Sequence, residues 1–221
     1  MELADALARR RMVRRYDSTA PVAPDALEAV LAAALKAPSA GFTQGVSLLV
    51  LDTPEQRNRF WATSSVPRGD DPPHPPLGVP VAGAPETRPN RWLDGMRTAP
   101  VLVLVLTSRE AYLDRYAQPD KGWTDRDEDR WSAPYWFVDA GMAAMAMLLR
   151  AVDLGLGACF FGVPTDRIAD VHAAFGVPDD LLHVGVISLG HPATTGDRGS
   201  RGSPARRPRR PAEDQVHRGS W

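Results

Sequence analysis

The stretch PYWFVDAGMAAMAMLLRAVDLGLGACFFG, residues 134–162, decides how the rest of the chain is read. Pro134 opens a helix, and the run to Leu154 is apolar almost all round, through Ala140, Met142, Ala143, Met145, Ala146, Leu148 and Leu149. A helix without a polar face belongs in the centre of a core, so this one is predicted to be long, central and buried. Gly155 and Gly157 stop it. Ala158-Cys159-Phe160-Phe161 then reads as a short buried strand.

Working outward, residues 2–11 read as a short helix. Pro24-Asp25 starts a second, since Pro suits the first turn and Asp the positive helix end. Leu27, Val30, Leu31, Ala34 and Leu35 keep helical spacing up to Lys36. Val46 to Leu51 and Pro100 to Leu106 are apolar strands, the second with no polar face, as in a sheet covered on both sides. Pro54 to Trp61 and Ser108 to Tyr116 read as short helices, Pro164 starts another that closes at Gly176, and His183 to Leu189 is the last strand. Eight prolines between Pro67 and Pro89 exclude a helix or central strand there. Residues 63–90 are therefore predicted to be a long irregular excursion over a site or a partner. The fold class is α+β, with one domain over 1–190 carrying the Pro-rich 63–90 insertion, and a basic tail over 191–221 belonging to it.

The 221 residues are 43% hydrophobic and 24% charged, with a formal net charge of −1. That balance argues against whole-protein attraction to nucleic acid. A single cysteine, Cys159, excludes an intrachain disulfide, and no Cys/His cluster has metal-site spacing. No membrane span and no secretory leader are read from the apolar runs, so a cytoplasmic protein is expected. Charge is nevertheless uneven. Arg9, Arg10, Arg11, Arg14 and Arg15 crowd one end, and Arg198, Arg201, Arg206, Arg207, Arg209, Arg210 and Arg218 the other. By charge alone, the two clusters either share one anion or lie in solvent.

Three segments carry chemistry. In Arg10-Arg11-Met12-Val13-Arg14-Arg15-Tyr16-Asp17, Arg10 and Arg14 are four apart, and on a helical turn they would present two guanidinium forks to a phosphate. A helix end that favours cations is the plainer account. Ala37-Pro38-Ser39-Ala40-Gly41-Phe42-Thr43-Gln44 has the small residues that let a flat ligand approach backbone, or it is an ordinary helix stop. Gly155 to Gly162 is a glycine-punctuated strand that is neither a Walker loop nor a dinucleotide fingerprint. Trp123, Tyr135 and Trp136 read as core packing or a pocket lining, and Trp131, in a polar stretch, as pocket. Cys159 reads as a small core residue.

Taken in order, these motifs resemble the nitroreductase family of flavoproteins. Arg10 to Tyr16 is similar to its Arg-Arg-Ser-x-Arg-x-Phe/Tyr start, Ala37 to Gln44 to its Ala-Pro-Ser-x-x-Asn-x-Gln segment, and Asp139-Ala140-Gly141 to its central Asp-x-Gly helix. Gly155 to Gly162, Gly190-His191-Pro192 and the basic tail complete the set. The resemblance implies a mostly antiparallel sheet in a domain-sharing homodimer, with two FMN sites at the interface. It implies that Arg10, Arg11 and Arg14 meet the FMN phosphate, joined by Arg207 and Arg209 of the tail. It implies that Pro38, Ser39 and Ala40 reach the flavin of the other subunit, and that Phe161 and Gly162 form the loop whose backbone N–H faces flavin N5. The implied activity passes hydride from NAD(P)H through FMN to a small acceptor such as a nitroaromatic, quinone or enone. F420 as the cofactor, or flavin binding without turnover, are the alternatives. The cofactor carries the chemistry, so no catalytic acid or base and no metal is named. Met12 in place of Ser, Phe42 in place of Asn, and Gly45-Val46 in place of a Pro-aromatic pair are departures from the pattern.

Overall fold

A computed structural model describes residues 1–65, 91–193 and 208–220. Seven helices and four strands are seen among them: α1 (Leu3–Arg9), α2 (Pro24–Leu35), β1 (Val46–Leu51), α3 (Pro54–Ser65), α4 (Arg91–Met96), β2 (Val101–Ser108), α5 (Arg109–Ala117), α6 (Tyr135–Asp153), β3 (Gly157–Phe161), α7 (Ile168–Phe175) and β4 (Leu181–Gly190). The sheet order is β1-β2-β4-β3 and every pairing is antiparallel, in agreement with the expected α+β class. Helix α3 runs to Ser65, past the predicted end at Trp61, and α4 was not foreseen in the sequence. The Pro-rich excursion otherwise lies outside the described residues.

β2 explains the layering. All eight of its residues are buried, because it is a central strand covered on both faces. Val101, Val103 and Val105 point into a core with α2 and α6. Leu102 and Leu104 point the other way, into a core with Phe60 and Trp61 of α3, Met96 of α4 and Val171 of α7. This is the strand alternation of period two, turned into two cores by a layer of helices on each side of the sheet.

Helix α6 is central but not buried all round. Trp136, Asp139, Ala140, Ala143, Met147 and Ala151 face the core, while Phe137, Val138, Met142 and Met145 are exposed. Val138, Met142 and Met145 follow helical spacing, so they make one apolar stripe turned away from the sheet. Among the described residues α6 is the one helix with the length and composition to cross a membrane; here it packs between α2 and the sheet.

Candidate functional site

The N-terminal arginines do not sit on a helix. α1 ends at Arg9, and Arg10 is already extended (φ −55°, ψ 120°). The helical-face argument for Arg10 and Arg14 is therefore corrected. The segment leaves α1 to join the edge of the sheet: Met12 bridges Ala158 in parallel, and the Val13 N–H donates to the Ala158 carbonyl at 3.0 Å. Farther on, Tyr16 bridges Pro192, and the Asp17 N–H donates to the His191 carbonyl at 2.9 Å. Arg10 and Arg14 are partly buried and Arg11 is exposed. The Arg14 guanidinium donates to the Met12 carbonyl at 3.4 Å and lies close enough to Cys159 to counter, in part, the burial that raises that thiol. The buried Cys159 fits its predicted core role.

β3, the strand this segment is tied to, ends in the predicted flavin loop. Phe161 is buried and stacks on Trp61, with centroids 5.7 Å apart and planes 9° from parallel. Gly162 is exposed, and a side chain there would meet nothing within 4 Å, so its backbone is open to a ligand.

The Ser39 segment is built by different elements. The Ser39 hydroxyl accepts from the Gln44 N–H at 3.0 Å, and the Phe42 N–H donates to the Ser39 carbonyl at 2.9 Å. The Ala40 N–H donates to Asp139 Oδ2 at 2.7 Å. Gly41, Phe42 and Gln44 all have φ between 55° and 61°. A β-carbon on Gly41 would also run into the Tyr116 ring at 2.7 Å, so glycine is required there twice over. For Phe42 and Gln44 this backbone costs of order 1–3 kcal/mol each and needs outside support. The support comes from α5 and α6. Arg115 Nε donates to the Gly41 carbonyl at 2.7 Å, and Asp139 is 2% exposed, its Oδ2 also accepting from the Tyr112 hydroxyl at 2.7 Å. Burial first, and the Asp139 contact second, hold the Tyr112 phenol above its ordinary range. Pro38 is exposed, and Ser39 and Ala40 are partly buried.

Within this chain the two halves of the predicted site are apart. The Ser39 segment leads into β1 at one edge of the sheet, and Gly162 follows β3 at the other. Three strand spacings separate those edges, about 14 Å. Arg209 is exposed, and Arg207 lies outside the described residues. Trp131, expected in a pocket, is instead the hub of an aromatic cluster, with Tyr116 at 4.3 Å, Trp123 at 5.3 Å and Tyr135 at 5.5 Å. Sequence reasoning missed the anchoring role of Asp139 and Tyr112. The available signal was a carboxylate in the apolar first three turns of a helix, whose other charged residues, Arg150 and Asp153, stand at its end.

Comparison with known proteins places this geometry. The chain aligns over its full length with a nitroreductase family protein from Clostridium difficile 630, covering 100% of both chains at 19% identity and a TM-score of 0.65. It aligns similarly with a provisionally named nitroreductase solved with FMN from Desulfovibrio desulfuricans, at 24% identity, 100% and 98% coverage and a TM-score of 0.65. A curated relative from Methanothermobacter thermautotrophicus, provisionally named an NADH dehydrogenase/NAD(P)H nitroreductase, is 38% identical over 61 residues. That match takes in 27% of this chain and about a third of the relative's length, 32%. The model of the Nitroreductase family matches residues 7–191, from the N-terminal arginines to the end of the last strand, and the chain belongs to that family.

Proposed function

We propose that this protein is a flavin-dependent oxidoreductase that uses FMN to move hydride from NAD(P)H to a small acceptor such as a nitroaromatic, quinone or enone. The observation that carries the reading is the tie between the arginine segment and β3. Through the Met12–Ala158 bridge, the cations suited to a phosphate are fixed to the strand that ends in an open backbone at Gly162. The residues fit the group: guanidinium donors for the phosphate, and an exposed glycine where a flat ring can approach backbone. Two solved relatives whose names record FMN, from Desulfovibrio desulfuricans and Exiguobacterium sibiricum, favour FMN over F420.

Arg10, Arg11 and Arg14 would hold the phosphate, with Arg207 and Arg209 of the tail as further cations, and the Gly162 N–H would face the ring. When bound, the flavin supplies the two-electron chemistry, and the chain supplies orientation and exclusion of water. Pro38, Ser39 and Ala40 come from the other protomer of a homodimer. Two features support this: the separation of the two segments across the sheet, and the exposed Val138, Met142 and Met145 stripe on α6, which a second copy would cover.

The test is to release the cofactor from purified protein, record its spectrum, and then add NADH or NADPH to the holoprotein. A flavin spectrum bleached by either nucleotide and restored by a quinone is expected. A deazaflavin spectrum, or a flavin that neither nucleotide reduces, would overturn the assignment.

A further inference from the structure

We infer that Trp61, Ser64 and Arg97 form a binding subsite for an oxyanion of the phosphate class. The inference does not rest on the flavin reading. Trp61 and Ser64 stand three apart on α3, which puts them on one face of the helix. Trp61 is 4% exposed and Ser64 7%. The Arg97 guanidinium lies over the Trp61 ring, 5.9 Å from its centroid.

All three side chains carry hydrogen-bond donors, and all three have a buried polar atom without a partner: Trp61 Nε1, Ser64 Oγ and Arg97 Nε. Buried donors are ordinarily paired, so orphans on one face of α3 and on the guanidinium that lies over the Trp61 ring call for an explanation. The indole N–H and the guanidinium can only donate, and the hydroxyl can do so. A set that donates and lacks an acceptor suits a group that only accepts, with several oxygens, and the cation makes that group an anion. Arg97 forms no ion pair among the described residues. Asp94, in α4 just before Arg97, is exposed and only partly offsets the burial that lowers the Arg97 guanidinium. A half-buried cation with a buried, unpartnered Nε and no ion pair among the described residues is the feature an oxyanion would complete.

The backbone holds Arg97 in place. Gly95 packs so closely on the Arg14 carbonyl that a β-carbon would overlap it, and Thr98 Oγ1 accepts from the Tyr16 N–H at 2.8 Å. Arg97 sits between these two anchors and reaches the opposite side, toward α3. Phe161 stacks on Trp61, so the subsite adjoins the end of β3 without including it.

The test uses the full chain with excess FMN, titrated with inorganic phosphate against chloride at constant ionic strength, with thermal unfolding as the readout. A saturable rise in Tm is expected. Arg97→Gln should weaken phosphate binding at least about tenfold, the loss of one charge-assisted contact. Trp61→Phe keeps the ring and removes only the N–H, and should weaken it several-fold. Ser64→Ala should leave Tm unchanged in phosphate-free buffer, because its hydroxyl has no partner to lose, and lower it relative to wild type once phosphate is present. Arg130→Gln, an equal loss of charge at an exposed residue outside the subsite, should leave phosphate binding intact. Adenosine 2′-phosphate binding more tightly than inorganic phosphate would assign the anion to a nucleotide, and the reverse order to free phosphate; both uphold the subsite. No saturable shift in wild type, or a loss in Arg130→Gln as large as in Arg97→Gln, would overturn it.

Discussion

Asp139 and Ala40 lie 99 positions apart and are joined at 2.7 Å, a buried carboxylate oxygen taking the N–H of an exposed-side turn. The same oxygen takes the Tyr112 hydroxyl at 2.7 Å. One atom of the central helix thus fixes the strained turn that the proposed function places against the partner's flavin.

Asp139→Ala is expected to cost about 2–4 kcal/mol, because it leaves a buried hydroxyl and a turn N–H without their acceptor. Asp139→Asn keeps a carbonyl acceptor and should lose clearly less. Urea denaturation of the three proteins checks this; equal losses for Ala and Asn would show that the hydrogen bonds do not anchor the turn.

Arg10→Ala and Arg14→Ala should each weaken FMN binding by on the order of 10- to 100-fold, since a charge-assisted contact contributes about 1.5–3 kcal/mol. Fluorescence titration of the apoprotein with FMN measures it. In the same assay, deleting residues 203–221 should lower affinity while far-UV circular dichroism stays unchanged. A truncated chain with full affinity would show Arg207 and Arg209 to be solvated.

Arg14→Glu places a negative charge against the phosphate, and Ser39→Trp fills the space of the ring. If the two residues come from opposite protomers, a mixed dimer of these variants carries both lesions in one site and none in the other. A tag-selected heterodimer should bind one FMN per dimer. A heterodimer with no FMN would mean that each chain builds its site alone.

His183 gives the stability a defined pH dependence. Burial, and secondarily His172 with its ring centroid 5.7 Å away, push its imidazole down to about 4 from an ordinary 6.5. Above pH 6.5 neither state holds the proton and the contribution is whole. As pH falls from 6.5 toward 4 the unfolded chain takes up a proton that the folded one refuses, and stability drops; below 4 the loss levels off. The side chain is partly solvated, so the loss should stay below about 3 kcal/mol. Urea midpoints at pH 7 and pH 5 for wild type and His183→Gln check it, with a smaller pH difference expected in the variant.

Much of this molecule was written locally. Apolar runs at Pro100–Leu106 and His183–Leu189 specified strands, Pro24-Asp25 a helix start, and Gly155 with Gly157 the stop after the long helix, because these depend on backbone preference and hydrophobic period alone. Three local inferences failed for a shared reason. The helical face for Arg10 and Arg14 lost to sheet pairing with Ala158, whose partner lies more than 140 residues away. The fully buried α6 lost to a packing by α2 and the sheet that leaves Phe137, Val138, Met142 and Met145 exposed. Trp131, read as a pocket lining because of its polar neighbours, was gathered into a ring cluster by Tyr116 and Trp123. What only the tertiary structure decided is which distant groups meet: Asp139 with Ala40, Arg97 with Trp61, and the arginine segment with β3. Such pairings follow from strand order and helix packing. These long-range choices balance chain entropy against burial, and no window of sequence contains both partners.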